Sequence, residues 1–459
     1  MNKTLQTHFI PYSFFMNCKR LRKSRYCFLL RDGNDILAYT SSRNSFYIIT
    51  SYIYDMINNI DIPLSKVAMQ YNSNEINKLH ELGLITTKEE DDSIIDRLRF
   101  RFLLTAYSTK ALNLTILPTL CCNLNCHYCF EKNKPTKFMR KDTCDKLIDF
   151  IKSQNEASII NITWFGGEPL MGVKEISYIL GKIEKIENKK VAFQSLVTNG
   201  TLLKDEVLSI FEHTSLNNIQ ITLDGKKKTH DTKRIRHDGT GTYNDIMHNL
   251  DNFIAKCPNT RVDIRVNIDK NNADEFIDIY EELKHRYPDK KNLIIYPGIL
   301  RACDNLNTGS FFNNEDLMDI YQKFSEKGFP LEMPYINSSG CTATSLNSYV
   351  IGPEGEIYKC WEDVGLAERI VGYIDGRPGQ AKDLLTSYMM RGSHVLDSNC
   401  EKCPLLPICS NDCARKRLMA NESNCKNEDL CSLYKTNNYE GLNRVLLKYY
   451  HSYKQNKKC

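Results

Sequence analysis

Short apolar runs alternate with longer amphipathic stretches between residues 112 and 300. The runs have the length of buried strands and the stretches carry apolar residues at helical spacing, so the pattern predicts βα units around a parallel sheet. The predicted strands are Leu112–Pro118, Ile159–Phe165, Val191–Thr198, Ile219–Leu223, Val262–Ile268 and Leu293–Ile299. The predicted helices are Asp142–Ser153, Ile176–Ile186, Asp205–Phe211, Tyr243–Ala255, Ala273–His285 and Asn314–Glu326.

Six such units are too few to close a standard eight-stranded barrel, which leaves a partial barrel or an open doubly wound sheet. In both arrangements the functional loops follow the carboxyl ends of the strands. Any one polar or glycine-rich motif there could be ordinary turn chemistry, but four at one rim predict a site. These motifs are Cys122–Cys129, Gly166-Gly167-Glu168-Pro169, Thr198-Asn199-Gly200 and Asp224-Gly225.

The first hundred residues follow a different pattern. Two strand-like runs, Tyr26–Arg31 and Ile36–Thr40, flank Asp32-Gly33-Asn34-Asp35, which is a hairpin signal. We therefore predict a small α+β, winged-helix-like module over residues 1–86. Its predicted helices are Ser45–Asn58, Leu64–Tyr71 and Asn74–Leu82.

Changes in composition give the remaining boundaries. Residues 87–108 begin with the run Lys88-Glu89-Glu90-Asp91-Asp92 and are interpreted as a solvated linker. The βα units define a core over residues 109–330. Beyond residue 340 the periodicity fades and cysteines become frequent, which predicts an irregular, metal-organised domain over residues 331–435, followed by a helical tail over residues 436–459.

Composition narrows the class of protein. No window of the 459 residues approaches the ~20 consecutive apolar residues of a membrane-spanning helix. The start of the chain carries no visible export or transit signal, so we expect a cytoplasmic protein with no membrane partner. The net charge of +5 is spread along the chain, which does not favour a nucleic-acid partner.

The 18 cysteines are the outlier, because thiols in a reducing compartment hold metal or do chemistry more often than they pair. Cys122, Cys126 and Cys129 form C-x3-C-x2-C on the loop after the first strand. No fourth cysteine or histidine nearby completes a zinc site, since His127 directly follows one ligand and cannot easily reach the same metal. Three thiolates would leave one iron of a four-iron cluster open for chemistry.

With Tyr128 before its last cysteine, this triplet resembles the C-x3-C-x-aromatic-C signature of the radical S-adenosylmethionine (SAM) superfamily. The resemblance implies a partial (βα)6 barrel, a [4Fe-4S] cluster on the three catalytic cysteines, and SAM bound at the open iron. In that family, reductive cleavage of SAM gives a 5'-deoxyadenosyl radical that removes a hydrogen atom from the substrate. The cofactor carries the chemistry and the protein positions it.

Further segments resemble the SAM-binding motifs of the same family. The glycine turn at residues 166–168 would take up the SAM amino group, with the Glu168 carboxylate facing the ammonium. In the peptide-modifying branch, a hydroxyl on the fourth strand, here Thr222 in place of the usual serine, and a following arginine bind the ribose and the carboxylate. The implied SAM-binding residues are Tyr128, Gly166, Gly167, Glu168, Thr198, Asn199, Thr222 and Arg234.

Seven cysteines after residue 340 have spacings that paired zinc ribbons do not normally show, although the C-x2-C pair alone would suit zinc. Together they resemble the SPASM extension of radical SAM enzymes, which holds two auxiliary [4Fe-4S] clusters. The resemblance implies interleaved ligation. The first cluster would take Cys341, Cys360 and Cys413, and the second Cys400, Cys403, Cys409 and Cys431.

The first auxiliary cluster has only three assigned ligands. Ser338, Ser339 and Gly340 occupy the approach where some relatives supply a fourth cysteine, so we predict an open or substrate-ligated iron, with Cys303 as an alternative ligand. An open iron could bind a substrate thiolate. The cysteines outside any motif, interpreted as small buried hydrophobes, are Cys18, Cys27, Cys144, Cys257, Cys425 and Cys459.

The resemblance implies a peptide or protein substrate and a flavodoxin or ferredoxin as electron donor. The N-terminal module is similar to the precursor-recognition domain of ribosomal peptide maturases, which binds a leader peptide by strand addition, and a structural cap on the barrel is the alternative. We expect a maturase that forms an intramolecular crosslink, and the leading candidate for that bond is a thioether. The alternatives are an anaerobic sulfatase maturase that forms formylglycine and a non-catalytic metal-bearing protein that binds peptides.

A catalytic base is harder to assign. Some sulfatase maturases carry an aspartate directly after the second SPASM cysteine, where this chain has Trp361. Glu362 and Asp363 follow it and are candidate bases, although an exposed acidic pair without a catalytic role fits the sequence equally well.

Overall fold

The computed structural model describes residues 19–129, 136–211, 216–300, 311–331, 333–336, 340–410, 413–423 and 430–456. The predictions for Cys303, Ser338 and Ser339 fall outside these residues. So do those for Cys18, Cys425 and Cys459.

The described part of the N-terminal module, residues 19–86, contains two small antiparallel sheets and three short α-helices. Its strands are β1 Arg20–Lys23, β2 Cys27–Asp32, β3 Asp35–Thr40, β4 Ser45–Ile49, β5 Asp61–Pro63 and β6 Ile85–Thr86, and its helices are α1 Ser51–Asn59, α2 Val67–Gln70 and α3 Ser73–Glu81. One sheet has the order β5-β1-β6 and the other β2-β3-β4. The predicted hairpin is confirmed as β2–β3, and Gly33 supplies its turn with a φ of 59°.

One predicted helix of this module begins later than expected. Residues 45–49 form strand β4, which pairs with β3, and the helix starts only after Thr50, whose hydroxyl accepts a hydrogen bond from Ile53 N at 3.3 Å. The run from Phe46 to Ile49 consists of aromatic and β-branched residues, which favour a strand. Apolar spacing alone did not separate the strand from the helix.

The stretch predicted as a solvated linker is instead the helix α4 Lys88–Ala106. A capping box begins it: Glu90 N donates to Thr87 Oγ1 at 3.3 Å, and Thr87 N donates to Glu90 Oε2 at 2.9 Å. The acidic run belongs to a first helical turn, where negative charge is favourable. The buried side chains that join this helix to the cysteine-rich domain are Ile95, Leu98, Phe102 and Ala106 on the helix and Met389, Val395 and Leu406 on the domain.

Asp91 lies in this charge run and is nevertheless fully buried, where it accepts hydrogen bonds from Ser24 Oγ at 2.9 Å and Arg25 N at 2.8 Å. We expect Asp91→Ala to lower the free energy of unfolding by about 2–4 kcal/mol, because these buried donors lose their acceptor. Thermal or denaturant unfolding measures the change. The control is Asp96→Ala on the exposed face of the same helix, and equal losses in the two variants would contradict the account.

The core is a parallel sheet whose strands lie side by side in chain order. All six predicted strands are confirmed, as β7 Ala111–Ile116, β8 Ile159–Trp164, β9 Lys190–Thr198, β10 Asn218–Leu223, β11 Arg261–Ile268 and β12 Leu293–Ile299. The helices of the core are α5 Lys141–Ser153, α6 Val173–Ile183, α7 Asp205–Leu208, α8 Lys227–Lys233, α9 Tyr243–Lys256, α10 Phe276–Arg286 and α11 Asn314–Glu326. Sequential order means that the sheet winds in one direction, as in a partial barrel, and is not doubly wound.

Three strands from the cysteine-rich domain extend this sheet beyond β7. Strand β13 Ser348–Ile351 pairs parallel with β7, and β14 Glu356–Tyr358 and β15 Gly372–Tyr373 follow antiparallel, giving nine strands in all. The sequence did not predict this extension, because the strands are very short. Cys360 follows β14 closely and is thereby fixed to the core sheet.

The C-terminal part of the chain packs on the N-terminal module. Its helices are α12 Leu384–Arg391, α13 Ala414–Ser423 and α14 Thr436–Asn456, the last kinked at residues 437–439. Leu442, Leu446 and Tyr450 of α14 share a buried cluster with Leu37 and Tyr39 of β3. Among the helices that the structure describes, none is both long and apolar enough to cross a membrane.

Candidate active site

The cysteine triplet lies on the loop after β7, and backbone contacts shape that loop. Cys129 N donates to Cys126 O at 3.2 Å, and Leu124 N points at Cys122 Sγ at 3.4 Å. Asn125 N donates to Ile235 O at 2.7 Å, which ties the loop to the segment after α8.

The three thiols are close enough to affect one another. Burial raises the pKa of Cys122 to about 12, and Cys126 and Cys129 contribute to the rise. Burial also raises the pKa of Cys126, with a contribution from Cys129. These thiols therefore need a positively charged partner, such as iron, to ionise near neutral pH.

No three His, Cys, Asp or Glu side chains of the described residues converge as they would around a single metal ion. A four-iron cluster does not require such convergence, because each thiolate binds a separate corner of the cube. Three neighbouring thiols on one loop, none of them in a disulfide, suit that group.

The glycine turn after β8 packs directly against this loop. Gly167 N donates to Thr119 O at 3.3 Å, and Glu168 N donates to Cys121 O at 2.8 Å. Gly166 has a φ of 132°, and a Cβ on it would lie 2.2 Å from Thr119 O. A Cβ on Gly167 would lie 2.5 Å from Cys121 O, so neither position accommodates a side chain without moving the cysteine loop.

Glu168 is fully buried and connects this turn to the end of β9. Its Oε1 accepts from Leu170 N at 3.0 Å and Thr198 Oγ1 at 2.8 Å, and its Oε2 accepts from Asn199 N at 2.7 Å. Burial raises the pKa of Glu168, and these donors lower it. The carboxylate thus positions two neighbouring segments, and its contact with the SAM amino group stays a prediction.

Asn199 reaches from the end of β9 into the cysteine loop. Its Nδ2 donates to Asn123 Oδ1 at 2.9 Å and lies 3.9 Å from Cys122 Sγ. Thr222 is half-buried on β10. Thr198, Asn199 and the glycine turn are therefore brought together with the triplet.

A buried carboxylate beside the triplet has few hydrogen-bond partners. The two carboxylate oxygens of Asp224 and the Nε of Arg234 are buried without a well-aligned hydrogen bond among the residues that the structure describes. Burial raises the pKa of Asp224, and the neighbouring Arg234 and Tyr128 hydroxyl lower it. Asp224 Oδ1 lies 4.0 Å from Arg234 Nη1, which donates to Tyr128 Oη at 2.9 Å. Asn267 Nδ2 also donates to Tyr128 Oη, at 3.2 Å.

Buried polar atoms without partners cost about 1–3 kcal/mol each, so this cluster fits a polar ligand. SAM carries hydroxyl and ammonium donors for a carboxylate and a carboxylate for a guanidinium. The residues present therefore fit SAM, and binding of SAM by Arg234 and Tyr128 stays a prediction. The sequence placed Asp224 in one of the four rim motifs but assigned its carboxylate no role, because nothing in the motif distinguishes it from a turn residue.

His230 fixes the backbone on both sides of this cluster. Its Nδ1 accepts from Asp224 N at 3.3 Å, and its Nε2 donates to Thr242 Oγ1 at 3.0 Å. Thr242 Oγ1 in turn donates to Arg234 O at 2.8 Å. Burial lowers the pKa of His230 to about 3, so the ring is neutral in the folded protein.

This shift makes stability depend on pH. The unfolded chain takes up a proton near pH 6.5 and the folded chain only near pH 3, so the stabilisation is complete above pH 6.5 and is lost as the pH falls. We expect a loss of about 2 kcal/mol between pH 6.5 and pH 5 that His230→Gln removes, measured by unfolding at each pH. His285→Gln, exposed at the end of α10, should retain the loss, and equal slopes in all three proteins would contradict the assignment.

Five of the seven later cysteines lie in two neighbourhoods. Burial and then Asp363 raise the pKa of Cys360, and Cys413 contributes to the rise. Burial raises the pKa of Cys403, with a contribution from Cys431, and burial raises the pKa of Cys400, with a contribution from Cys403. Cys341 is exposed and Cys409 half-buried. Ligation of two auxiliary clusters by these thiols stays a prediction.

Lys359 is a fully buried ammonium next to Cys360 that the sequence did not single out. Its Nζ donates to Ser345 O at 2.5 Å and also to Ser348 O. Burial lowers the pKa of Lys359 to about 7. The side chain joins the segment after Cys341 to the end of β14.

The two candidate bases are placed differently. Asp363 is fully buried and accepts from Tyr388 Oη at 2.6 Å and Arg415 Nε at 3.0 Å, so both its oxygens are engaged, which does not favour a role as a base; that role stays a prediction. Glu362 is exposed, with its Oε2 3.4 Å from Arg415 Nη1. A catalytic role for Glu362 stays a prediction.

Trp361 connects the glycine turn after β8 to the segment that carries Cys360. It is 46% exposed, and its ring stacks on that of Phe165 with centroids 5.4 Å apart and an interplanar angle of 19°. Phe165 immediately precedes the glycine turn, and Trp361 immediately follows Cys360. The glycine turn and Cys360 are therefore neighbours in space.

Comparison with known proteins finds a family model that matches the core and relatives of similar sequence. The Radical SAM superfamily model matches residues 116–283. A cysteine-type anaerobic sulfatase-maturating enzyme of Clostridium novyi (strain NT) is 25% identical over 340 residues, which cover 67% of this chain and 89% of that protein. A GTP 3',8-cyclase of Clostridium perfringens (strain SM101 / Type A) is 26% identical over 271 residues, which cover 52% of this chain and 77% of that protein.

Solved structures share the fold. Native anSMEcpe with bound AdoMet and Cp18Cys peptide superposes with a TM-score of 0.57 at 19% identity, covering 74% of this chain and 99% of that one. Streptococcus suis SuiB bound to precursor peptide SuiA gives a TM-score of 0.50 at 14% identity, covering 90% and 100%. Residues 116–283 thus match a radical SAM domain.

Proposed function

We propose that this chain is a maturase that acts on a ribosomally made peptide and forms an intramolecular crosslink, most plainly a thioether between a cysteine sulfur and a carbon. The reaction removes two hydrogens from the peptide, one as an atom and one as a proton and an electron. When bound, SAM and the iron–sulfur clusters supply the radical and accept that electron, with a flavodoxin or ferredoxin as the initial donor.

The chain's own residues hold these groups and exclude water. The glycine turn sets the backbone against the cysteine loop, and Glu168 fixes that turn to β9. Asp224, Arg234 and Tyr128 form the buried polar surface that would face SAM. The Trp361–Phe165 stack borders the space between that surface and Cys360, where a substrate peptide would lie.

The proposal depends mainly on the extra length of chain that the likeness to SuiB covers. The superposition on anSMEcpe covers 74% of this chain. The superposition on SuiB, which was solved with a bound precursor peptide, covers 90%. Strand β4 pairs only with β3 among the described residues, so its outer edge is available for strand addition by a leader peptide.

A sulfatase maturase that forms formylglycine is the second candidate. It is supported by the match to the Clostridium novyi enzyme over 340 residues. Trp361 stands where some of those enzymes carry an aspartate base, and the neighbouring Asp363 is buried in an ion pair with Arg415. These two observations favour the crosslinking reaction.

High-resolution mass spectrometry tests the proposal. Short peptides encoded beside the gene are co-expressed anaerobically with and without the enzyme. Loss of two hydrogens together with a cysteine that no longer alkylates supports the crosslink. A cysteine converted to an aldehyde that reacts with hydrazide, in a sulfatase peptide, would replace it with the sulfatase-maturase function.

Metal analysis excludes or establishes the non-catalytic alternative. Anaerobic reconstitution should give about twelve irons per chain if three four-iron clusters form. About four irons would refute the two auxiliary clusters. Zinc without iron would leave only a metal-bearing binding protein.

A further inference from the structure

A cavity of about 750 Å³ lies away from the radical site, where three parts of the chain meet. They are the N-terminal module, the beginning of α4 and the loop between Cys400 and Cys403. The side chains used below are Arg22 and Lys23 of β1, Arg25, Lys88 of α4, and Glu401 and Lys402 of the loop.

The cavity carries more positive than negative charge, with five basic and three acidic side chains in its lining. Two of the carboxylates are already paired. Asp92 accepts from Arg25 Nη2 and Lys88 Nζ, both at 2.6 Å. Glu401 Oε1 lies 3.5 Å from Arg99 Nη2, outside the lining.

Three cations of the lining remain poorly neutralised. Lys402 is exposed and makes no ion pair or hydrogen bond within the part of the chain that the structure describes. Lys23 Nζ lies 3.3 Å from the uncharged Asn58 Oδ1. Arg22 Nη2 lies 3.8 Å from Asp91, and its Nε is buried without a hydrogen-bond partner among the described residues.

We propose that this cavity binds a carboxylate-rich segment of the substrate peptide. The inference rests on the proposed function and adds to it a second recognition surface, separate from the open edge of β4. The segment would place its carboxylates against Lys23 of β1 and Lys402 of the loop. Charge-assisted contacts of this kind are stronger in a concave, partly desolvated site than on an open surface.

The shape favours a peptide over other anions. The poorly neutralised cations come from β1 and from the loop between Cys400 and Cys403, so a chain segment with several carboxylates can pair with all of them. The volume lies within the range of about 300–1,000 Å³ that buries a small ligand or a short chain segment. A globular acidic carrier protein would present a convex surface, which does not fill a cavity.

The position also connects peptide binding to the second group of later cysteines. Glu401 and Lys402 are the two residues between Cys400 and Cys403, and Arg25 Nη1 donates to Glu401 O at 3.3 Å. A bound peptide would therefore contact the N-terminal module and this loop at the same time.

Calorimetric titration of the anaerobic holoprotein tests the proposal without knowledge of the natural substrate. The probes are hexaglutamate, hexaglutamine as a neutral control and inorganic phosphate. We expect hexaglutamate to bind with an affinity that falls as salt rises, and Lys402→Glu and Lys23→Glu each to raise its Kd about tenfold or more. Lys174→Glu, the same charge change on the exposed face of α6, should leave the Kd within about twofold.

Several results would overturn the proposal. Equal binding of hexaglutamate and hexaglutamine, or equal Kd values in the two cavity variants and the control, would remove the site. Competition by phosphate at the same concentration would make it a small-anion site. Impaired reduction by an acidic flavodoxin in Lys402→Glu, with hexaglutamate binding unchanged, would assign the surface to the electron donor.

Failure of this inference is distinguishable from failure of the proposed function. If hexaglutamate binds in the cavity but no peptide is crosslinked, the function is wrong and the anion site remains. If a precursor is crosslinked equally well by wild type and by Lys23→Glu and Lys402→Glu, the function holds and the cavity does not bind the peptide.

Discussion

Cys126→Ala should abolish reductive cleavage of SAM, because the catalytic iron–sulfur cluster loses one of its three protein ligands. Cys126 is buried within the loop that also carries the other two assigned ligands, Cys122 and Cys129. We expect iron to fall from about twelve to about eight per chain and 5'-deoxyadenosine to disappear. Chromatography of the nucleoside and iron analysis measure the two changes.

The matched control is Cys121→Ala, one residue before the triplet. The contact that joins Cys121 to the glycine turn is made by its backbone carbonyl, which accepts from Glu168 N, and alanine retains it. This variant should keep its iron and its SAM cleavage. Continued production of 5'-deoxyadenosine by Cys126→Ala would refute the catalytic assignment.

Gly167→Ala should reduce SAM cleavage by about 10²-fold or more. The new Cβ would lie 2.5 Å from both Cys121 O and Leu120 O, so the cysteine loop must move away from the turn. A displacement of about 1 Å in a positioning segment costs rate on this scale. Single-turnover formation of 5'-deoxyadenosine, with iron content measured in parallel, separates misplacement from loss of the cluster.

Gly181→Ala is the control for this substitution. Gly181 lies within α6, and a Cβ added there would have no neighbouring atom within 4 Å, so alanine should raise helix stability by about 0.5–1 kcal/mol and leave activity unchanged. If Gly167→Ala retained wild-type activity, the close packing of the turn on the cysteine loop would not be needed for catalysis.

The sequence predicted the core sheet well for a physical reason. Strands such as Val262–Ile268 carry a fully buried apolar residue at every second position, while helices such as Tyr243–Lys256 bury one face and show helical spacing. The cysteine triplet was equally visible, because its spacing is a local property of one loop. Both signals lie within a short stretch of chain.

Features that depend on distant partners were missed. Asp91 is in a highly charged run, and only its contacts with Ser24 and Arg25, 67 and 66 residues away, bury it. The sequence around Asp363 suggested an exposed acidic pair, because its two partners, Tyr388 and Arg415, are 25 and 52 residues away along the chain. Strand β13 is only four residues long, and its pairing with β7 spans more than 200 residues of sequence.

The N-terminal module and the cavity beside it lie outside the core sheet but are attached to the rest of the chain by packed elements. Helix α4 joins that module to the cysteine-rich domain through a buried face, and α14 packs on its sheet from the other end of the chain. The N-terminal module and the domain that carries the later cysteines are therefore joined through packed elements, not through a flexible linker.

Transfer of deuterium from the peptide to 5'-deoxyadenosine tests the central claim most directly. The enzyme is given unlabelled SAM and a crosslinkable precursor carrying deuterium on its carbon atoms, and the nucleoside is analysed by mass spectrometry. The account predicts one deuterium in each 5'-deoxyadenosine formed during crosslinking. Unlabelled 5'-deoxyadenosine accompanying a crosslinked product would contradict hydrogen abstraction from the peptide.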